Sequence, residues 1–415
     1  MLSLFSLFMM MMLLFMSMNM FISGVIFMDS LSIIMVLMSI MMMILIILVI
    51  DKYMYMGYYM MVAMSVLLFM ICLVFTSVNI LMFYIFFEAV LVPMYFVILY
   101  WGNNVERYSS AMYMIMYTLV GSIPLLLFLC VKTHFMSLSF VLSTISFFSE
   151  LTFLEMMALL LAFLVKIPMY MLHGWLPKAH VEAPVVGSML LAGILLKLGG
   201  YGLFRILMMC DNVSVSNVMM MLSMVSMFGA LYVGYCCVFM VDVKQLIAYS
   251  SVVHMSMIII VLLMGYEWSI TGSFMMMVAH GFCSSCLFFM ANCMYERYYT
   301  RNILMLKGCM GLFSGLSFFW FIFNVMNMGA PPFLGFMSEL VMMGCLVKYS
   351  YLYMILLFMY VLFSSAYTMY LYSYVQHGKV WFLQAVNLAS LREYDVCFMH
   401  LLFVVVFLLK LSVFI

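Results

Sequence analysis

The run Leu164-Val165-Lys166-Ile167-Pro168 places a lysine and a proline inside a long apolar stretch of the chain. Around this run, residues 152–174 are long and apolar enough for a membrane-spanning helix, which needs about 20 residues. Proline removes a backbone N–H donor and interrupts a helix. The run therefore predicts a transmembrane helix that is broken at Pro168, next to a cation inside the membrane.

A second apolar stretch carries the same combination of a break and an ionisable residue. Residues 311–346 are too long for one straight helix and contain Gly329-Ala330-Pro331-Pro332, followed by Glu339. This stretch and the first are five predicted spans apart, so they cross the membrane in opposite directions. Interrupted helices at matching places in two oppositely oriented units are typical of transporters built from inverted repeats.

The composition excludes a soluble protein. Of 415 residues, 70% are hydrophobic and 7% are charged, whereas soluble domains carry roughly 25% charged residues. So few charges cannot cover a water-exposed surface, which makes the lipid bilayer the solvent. The net charge of +1 leaves no basic face for phosphates and excludes nucleic acid as a partner. We predict an all-α polytopic membrane protein with about 13 transmembrane helices, in two inverted five-helix repeats that each contain a broken helix.

Polar punctuation divides the chain into thirteen spans. They cover residues 2–22, 31–50, 57–77, 80–101, 109–131, 152–174, 185–205, 217–240, 247–266, 269–292, 311–346, 352–374 and 396–414. The first of these lacks a basic start and a cleavage site, so it is predicted to be a span and not a signal peptide. The predicted organisation is N-terminal helices in 1–50, a first half-channel in 57–205, a second in 217–374 and a C-terminal helix in 396–414.

The basic loop residues are distributed unequally between the two sides of the predicted bundle. The side of the N-terminus carries Lys52, Arg107, Lys178, Lys244, Arg297, Arg301, Lys307, Lys379 and Arg392. The opposite side carries Lys132, Arg205, Lys348 and Lys410. Because Lys and Arg accumulate on the cytoplasm-like side, we expect the N-terminus there and the C-terminus on the other side. The chain also contains 58 methionines; our hypothesis is a mitochondrial code with an extra Met codon, which would make the cytoplasm-like side the matrix.

Five ionisable residues are predicted at mid-membrane depth, where a charge costs from about 2.5 to well over 10 kcal/mol. They are Glu88, Lys166, Lys197, His280 and Glu339. Burial and neighbouring opposite charges can together bring such groups into the range where protons move near pH 7. We therefore interpret the five as a proton relay. The alternative is a set of ion pairs that only fix helix packing.

A second group of polar residues is predicted to support this relay. His173, Lys178, His180 and Glu182 lie in residues 172–184, which we expect to be a loop that feeds protons from the aqueous side, with Trp175 as an interfacial anchor. Lys244 and His254 are further candidates, although a polar contact between helices or a snorkelling lysine explains them equally well. The sequence contains no phosphate-binding loop, dinucleotide fingerprint or nucleophile elbow. We expect no metal, no cofactor and no redox centre in this chain.

Several stretches resemble a known family. Residues 83–93, 164–205, 246–255 and 279–281, which include WLPKAHVEAP and LLKLGGYG, are similar to the antiporter-like subunits of NADH:ubiquinone oxidoreductase, respiratory complex I. Mrp-type antiporters share the fold of that family. The resemblance extends over roughly residues 28 to 400.

The resemblance implies two inverted half-channels joined by a chain of charged residues. In that chain Glu88 pairs with Lys166 of the broken helix, Lys197 connects the halves, His280 belongs to the second half and Glu339 is the terminal acid. It also implies a chain that is shorter by about one helix at its start than is usual in the family.

The family further implies proton translocation across the mitochondrial inner membrane, coupled to electron transfer in other subunits. Those subunits would bind NADH and ubiquinone, and the partners of this chain would be neighbouring membrane-arm subunits, among them other antiporter-like chains, and lipids. Two alternatives remain open at this point: a stand-alone cation/proton antiporter and a purely structural membrane subunit.

Overall fold

The computed structural model describes residues 21–22, 27–50, 57–102, 104–133, 152–210, 216–379, 389–411 and 414. The predicted span 2–22 lies outside these residues except for its last two. Two short antiparallel strands, β1 (Phe21–Ile22) and β2 (Phe27–Met28), precede the first described helix.

Eight helices follow up to residue 190. They are α1 (Ser30–Ile50), α2 (Gly57–Thr76), α3 (Ile80–Ala89), α4 (Leu91–Trp101), α5 (Arg107–Thr133), α6 (Phe153–Lys166), α7 (Trp175–Glu182) and α8 (Val185–Leu190). A π-helical turn, Leu191–Leu195, then joins α8 to α9 (Leu196–Leu207). The turn leaves these last three pieces as one continuous span.

The remaining helices cover the second half of the chain. They are α10 (Ser216–Cys237), α11 (Val243–Met264), α12 (Glu267–Tyr298), α13 (Cys309–Leu312), α14 (Ser314–Asn327), α15 (Leu334–Tyr349), α16 (Tyr353–Gln376) and α17 (Leu391–Leu409). Within the described ranges nine helical segments are long and apolar enough to cross a membrane. From their place in the helix order, we assign one further crossing each to the pairs α6/α7 and α14/α15 and to the helix α17.

The described crossings form two matching units. In residues 57–207 the fourth of five crossings is broken, between α6 and α7, and in residues 216–376 the fourth is again broken, between α14 and α15. An odd number of crossings separates the two units' starting points, so the units run in opposite directions through the membrane. The predicted all-α polytopic fold with two inverted repeats is confirmed.

The predicted break in the first interrupted span is confirmed, because α6 ends at Lys166, two residues before Pro168. The prediction for the residues that follow the break was wrong. Residues 172–184, expected to be an aqueous loop, contain the buried helix α7. Trp175, expected at the membrane surface, is only 3% exposed. His180 and Glu182 of the same helix are also buried, whereas Lys178 is exposed.

The most buried crossings carry the ionisable residues. The share of buried residues is 94% for Val185–Leu207, 94% for α11 and 100% for α12, against 39% for α2 and 33% for α16. The less buried helices expose large apolar side chains such as Phe69 and Ile355, as expected for surfaces that face lipid. Lys197, His254 and His280 therefore lie at the centre of the bundle.

Ionic contacts tie the helices together at both ends of the bundle. At one end, Arg205 Nη1 lies 2.6 Å from Asp29 Oδ2, and Arg205 Nε donates to the Tyr201 hydroxyl. At the other end, Arg297 Nη2 lies 2.5 Å from Glu393 Oε2. Arg205, predicted to be a loop residue, is buried within α9, so its charge holds the start of α1 against that helix.

Close helix packing depends on Gly202 in α9. A Cβ atom at this position would overlap the Phe163 ring and lie 2.8 Å from Phe83 Cζ. Gly344 in α15 has no neighbouring atom within 4 Å of its added Cβ. The two glycines are therefore a matched pair, one in a packed contact and one in open space.

Alanine at these two positions should have opposite effects. We expect Gly202→Ala to lower the free energy of unfolding by about 1–3 kcal/mol, because overpacking forces helices apart. Gly344→Ala should leave stability unchanged or raise it, because alanine favours helix by about 1 kcal/mol over glycine. Thermal unfolding of the purified protein in detergent measures both; a Gly202→Ala protein as stable as the parent would contradict the close packing.

Candidate functional site: a buried row of titratable residues

The first part of the site is an ion pair between α3 and α6, which we call the Glu88–Lys166 pair. Glu88 Oε1 lies 3.3 Å from Lys166 Nζ, and both side chains are largely buried. Lys166 is the last residue of α6, and the end of that helix directs its side chain across to α3. The pair places one positive and one negative charge in the membrane interior, where each stabilises the other.

The backbone and an aromatic ring also stabilise the Lys166 ammonium group. It donates a hydrogen bond to the Phe87 carbonyl oxygen and lies 3.1 Å from the centroid of the Phe87 ring. Val90 interrupts the helix here, between α3 and α4, and Pro93 in the first turn of α4 cannot donate a backbone hydrogen bond. The interruption makes the Phe87 carbonyl available to the lysine.

The break between α6 and α7 is held closed by Trp175. Its indole N–H donates to the Val165 carbonyl oxygen over 3.0 Å, which satisfies a carbonyl near the C-terminal end of α6. Between the two helices Met171 has φ +73°, a left-handed conformation that costs a non-glycine residue about 1–3 kcal/mol. This strained connection joins α6 to α7, which packs against α5 and α11.

Lys197 occupies the centre of the bundle, just after the π-helical turn. Its Nζ donates to the Ala192 carbonyl oxygen and lies 2.9 Å from His280 Nδ1. Lys197 is completely buried, and in the described part of the chain no carboxylate forms an ion pair with it. An ammonium group that is hydrogen-bonded to a neutral imidazole can pass its proton to that ring.

From His280 the row continues through residues that we call the His254 cluster: His254, Tyr360, Tyr367 and Glu339. The His280 and His254 ring centroids are 5.7 Å apart. His254 Nδ1 lies 3.0 Å from the Tyr360 hydroxyl and Nε2 lies 3.2 Å from the Tyr367 hydroxyl. Tyr360 and Tyr367 are seven residues apart on α16, so they share one helix face.

Glu339 closes the row at the second broken helix. Its Oε1 accepts from the Tyr360 hydroxyl over 3.5 Å and lies 3.6 Å from His254 Nδ1. Gly329, in the break between α14 and α15, has φ +74°, and a Cβ atom there would overlap the Glu339 carboxylate. Pro331 and Pro332 belong to the same break, which therefore lies directly against the terminal acid.

The structure brings the five predicted relay residues into two groups. One is the Glu88–Lys166 pair, and the other runs from Lys197 through His280 to Glu339. No hydrogen bond or ion pair joins Lys166 to Lys197 among the described residues, although α9 packs closely on the end of α6, where a Cβ atom added to Gly199 would lie 3.2 Å from Lys166 Cβ. A proton moving between the groups therefore needs internal water or a side-chain movement.

The predicted supporting residues divide between the core and the surface. His180 is completely buried, and its ring stacks on the Phe288 ring with a centroid distance of 4.6 Å. It lies close enough to Lys244 and Lys197 to interact electrostatically with both. Lys244 Nζ donates to the Ala183 carbonyl oxygen over 3.4 Å. His180 therefore lies between the end of the bundle and Lys197.

Two other supporting residues, Lys178 and Glu182, line a cavity of about 280 Å³. Its lining includes Glu106, Lys178, Glu182 and Tyr249. Glu182 accepts a hydrogen bond from the Asn104 amide over 3.1 Å, whereas Lys178 is exposed with its Nζ 4.0 Å from the Tyr113 ring centroid. The cavity also reaches Gly174, next to His173 at the helix break, and so connects the surface with the break.

Two residues of the row were missed in the sequence. Tyr360 and Tyr367 are among 28 tyrosines, and nothing in their local sequence separates them from lipid-facing ones. The feature of the sequence that could have identified them is their seven-residue spacing, which places both on one face of α16. No group of three or more His, Cys, Asp or Glu side chains is arranged as a metal site within the part of the chain that the structure covers.

Comparison with known proteins identifies the family to which this chain belongs. Residues 77–365 match the family described as NADH:quinone oxidoreductase/Mrp antiporter, TM. The chain is 41% identical over 360 residues to NADH-ubiquinone oxidoreductase chain 4 of Rhipicephalus sanguineus, which covers 86% of this chain and 80% of that protein. It is 42% identical over 337 residues to chain 4 of Ceratitis capitata, covering 80% of this chain and 75% of that protein. The chain belongs to the NADH-ubiquinone oxidoreductase chain 4 family.

Solved structures show the same fold for this family member. A chain of respiratory complex I from Thermus thermophilus superposes with a TM-score of 0.83 at 23% identity, covering 92% of this chain and 81% of that one. A chain of the Mrp complex from Dietzia sp. superposes with a TM-score of 0.76 at 15% identity, covering 85% and 67%. The family resemblance seen in the sequence is confirmed, and the chain is a multi-pass membrane protein.

The role of Trp175 in closing the first break can be measured. Trp175→Phe removes the hydrogen bond to Val165 and leaves a buried carbonyl without that donor, which should lower the free energy of unfolding by about 1–3 kcal/mol. Trp268→Phe is the matched control, because Trp268 is 72% exposed and should tolerate the change. Equal melting temperatures of the two variants in detergent would show that Trp175 does not hold the break.

Proposed function

We propose that this chain translocates protons as an antiporter-like membrane-arm subunit of an NADH:ubiquinone oxidoreductase. The observation that carries the proposal is the buried row from Lys197 through His280 and His254 to Glu339, with neighbouring polar atoms 2.9 to 3.6 Å apart except between the two histidine rings. Buried ionisable groups in a membrane are costly, and a row of them spanning the bundle supports proton passage.

The proposed cycle begins at the Glu88–Lys166 pair. Redox chemistry in another subunit would alter the charges along the membrane arm and separate Glu88 from Lys166. Without its carboxylate partner the Lys166 ammonium is destabilised and releases its proton towards Lys197. The proton would then pass through His280 and the His254 cluster to Glu339, and from there to the far side or to a neighbouring subunit.

Such charge movements can supply the free energy that is needed to move a proton against the membrane potential. Moving one charge against the membrane potential costs about 2.3 kcal/mol per 100 mV. One or two units of pKa change correspond to about 1.4 to 2.7 kcal/mol. Separation of the Glu88–Lys166 pair in a low-dielectric interior can supply an amount of this size.

Protons would enter through the cavity lined by Glu106, Lys178 and Glu182. This cavity lies at the end of the bundle to which the sequence assigns nine basic residues. We propose that this end faces the mitochondrial matrix. His173, His180 and Lys244 would carry protons from it towards the row. In this arrangement the N-terminus lies in the matrix and the C-terminus in the intermembrane space.

The remaining chemistry is proposed to belong to other chains. NADH and ubiquinone would bind to other subunits, and this chain would hold no cofactor or redox centre of its own. Its partners would be the adjacent membrane-arm subunits, including other antiporter-like chains, together with lipids of the mitochondrial inner membrane.

The Glu88–Lys166 pair provides the first functional test. In the assembled complex, Glu88→Gln and Lys166→Ala should each reduce coupled NADH:quinone turnover and proton pumping by about tenfold, equal to about 1.4 kcal/mol of barrier height. Glu267→Gln is the control, because Glu267 is exposed at the start of α12. Unchanged turnover and proton-to-electron ratio in both pair variants would rule out this relay.

The His254 cluster provides the second functional test. Tyr360→Phe removes the hydroxyl between His254 and Glu339, so proton pumping in vesicles should fall several-fold while the complex still assembles. Tyr374→Phe changes an exposed tyrosine on the same helix and should have no effect. A Tyr360→Phe complex that pumps at the parental rate would remove the tyrosine from the path.

The alternative function is a stand-alone cation/proton antiporter, because this chain shares its fold with a chain of the Mrp complex. Proteoliposomes that contain only this chain distinguish the two functions. The proposal predicts no Na⁺-driven proton flux in them, whereas an antiporter would exchange Na⁺ for H⁺ without the rest of the complex.

A further inference from the structure

A second buried polar site lies where α12, α14 and α17 meet. His400 of α17 is completely buried, and its ring meets the Phe323 ring edge-on with a centroid distance of 6.4 Å. The Cys283 thiol of α12 donates to the Phe323 carbonyl oxygen over 3.1 Å. We call this place the His400 junction. Helix α17 lies outside residues 77–365 that match the family.

Three polar side chains at the His400 junction have unmatched atoms. His400 Nδ1 lies 2.8 Å from the Val396 carbonyl oxygen, so Nδ1 carries the hydrogen and Nε2 is left as an acceptor. The Asn324 amide nitrogen donates to the Trp320 carbonyl oxygen, which leaves Oδ1 as a second acceptor. Among the described residues, His400 Nε2, Asn324 Oδ1 and the Trp320 indole N–H have no hydrogen-bond partner.

The spacing of these residues places Trp320 and Asn324 on the face of α14 that meets His400. Trp320, Phe323 and Asn324 are three and four residues apart, so they share one face of α14, and Phe323 contacts His400. Trp320 is 0% and Asn324 is 3% exposed, so bulk water does not reach them. Each unmatched buried group costs about 1–3 kcal/mol unless it finds a partner.

One donor and two acceptors match the hydrogen bonds of a water molecule. A buried water typically makes about three hydrogen bonds to polar groups that would otherwise be unsatisfied. A single water could accept from Trp320 and donate to Asn324 and His400. An apolar void would offer no such pattern and would stay dry.

The His400 junction adjoins the proton row on one side and the buried Arg297–Glu393 ion pair on the other. Cys283 is one turn from His280 on α12, and Lys197 is close enough to Cys283 to interact with it electrostatically. The His280 Nε2 atom also lacks a partner within the described ranges. In the other direction, Glu393 lies seven residues before His400 on the same face of α17 and pairs with Arg297.

We propose that the His400 junction binds internal water and that His400 is a proton-carrying side branch of the row, between His280 and the Arg297–Glu393 pair. A proton from the row would pass through this water to His400 Nε2, where it forms an N–H bond and makes the ring an imidazolium, and it would return through the same water, which stays neutral. This inference rests on the proposed proton translocation, because only then does a titratable side branch have a purpose.

The first test needs no substitution. A cryo-electron microscopy map of the assembled complex, at a resolution that shows ordered water, should contain water density within hydrogen-bond distance of His400 Nε2, Asn324 Oδ1 and Trp320 Nε1. A dry junction in such a map would overturn the inference. It would leave the proposed function intact, since that function is tested separately by Glu88→Gln.

The second test asks whether His400 carries protons or only fills space. His400→Gln keeps a hydrogen-bonding amide in place of the ring but cannot gain a proton, and His400→Leu removes both properties. We expect both variants to slow coupled turnover in vesicles by about threefold, equal to about 0.65 kcal/mol, and to change the effect of D₂O on the rate. The control is His377→Leu, because His377 is exposed after α16.

The two variants separate the outcomes. A merely structural role would give a His400→Gln complex with the parental rate and the parental D₂O effect, which would overturn the proton-carrying role. If Glu88→Gln leaves pumping unchanged while His400→Gln slows it, the proposed relay through Glu88 is wrong and the His400 branch stands.

Discussion

Every polar group inside the membrane must find its partner within the protein, because the lipid tails offer neither hydrogen bonds nor charge stabilisation. The structure meets this requirement by interrupting its own helices. Carbonyl oxygens of Phe87, Ala192 and Val165 accept from Lys166, Lys197 and Trp175. Each of these carbonyls lies beside a helix junction, a π-helical turn or a helix end, where the regular pattern of backbone hydrogen bonds changes.

The same requirement explains how the helices are distributed. The helices that carry Lys197, His254 and His280 are the most buried ones, and outer helices such as α2 and α16 expose apolar side chains. A lipid-facing helix cannot supply partners on its outer side, so ionisable residues are confined to the centre. Helix α16 joins both environments, since its inner face supplies Tyr360 and Tyr367 to the row.

The row itself is uneven along its length. The Glu88–Lys166 pair is a close ion pair, whereas Lys197 is neighboured by an imidazole and a backbone carbonyl and, in the described part of the chain, by no paired carboxylate. A positive charge on Lys166 is therefore stabilised by a directly paired carboxylate, whereas a positive charge on Lys197 is stabilised only by neutral hydrogen-bond acceptors in the described part of the chain. Gly199 of α9 lies against Ile167 and Lys166, so the helix that carries Lys197 packs directly on the first break.

The sequence by itself determined the membrane fold, both broken helices and the five central ionisable residues, because apolar length, proline and isolated charges are local features that the bilayer constrains strongly. It misplaced α7, since polar residues such as His180 and Glu182 suggest a loop when water is assumed to be their partner. Only the tertiary structure decided that Tyr360 and Tyr367 reach His254, that Arg205 pairs with Asp29 and that His400 faces α14. These contacts join helices far apart in the chain, and which face of a uniformly apolar helix turns inward is decided by packing against its neighbours.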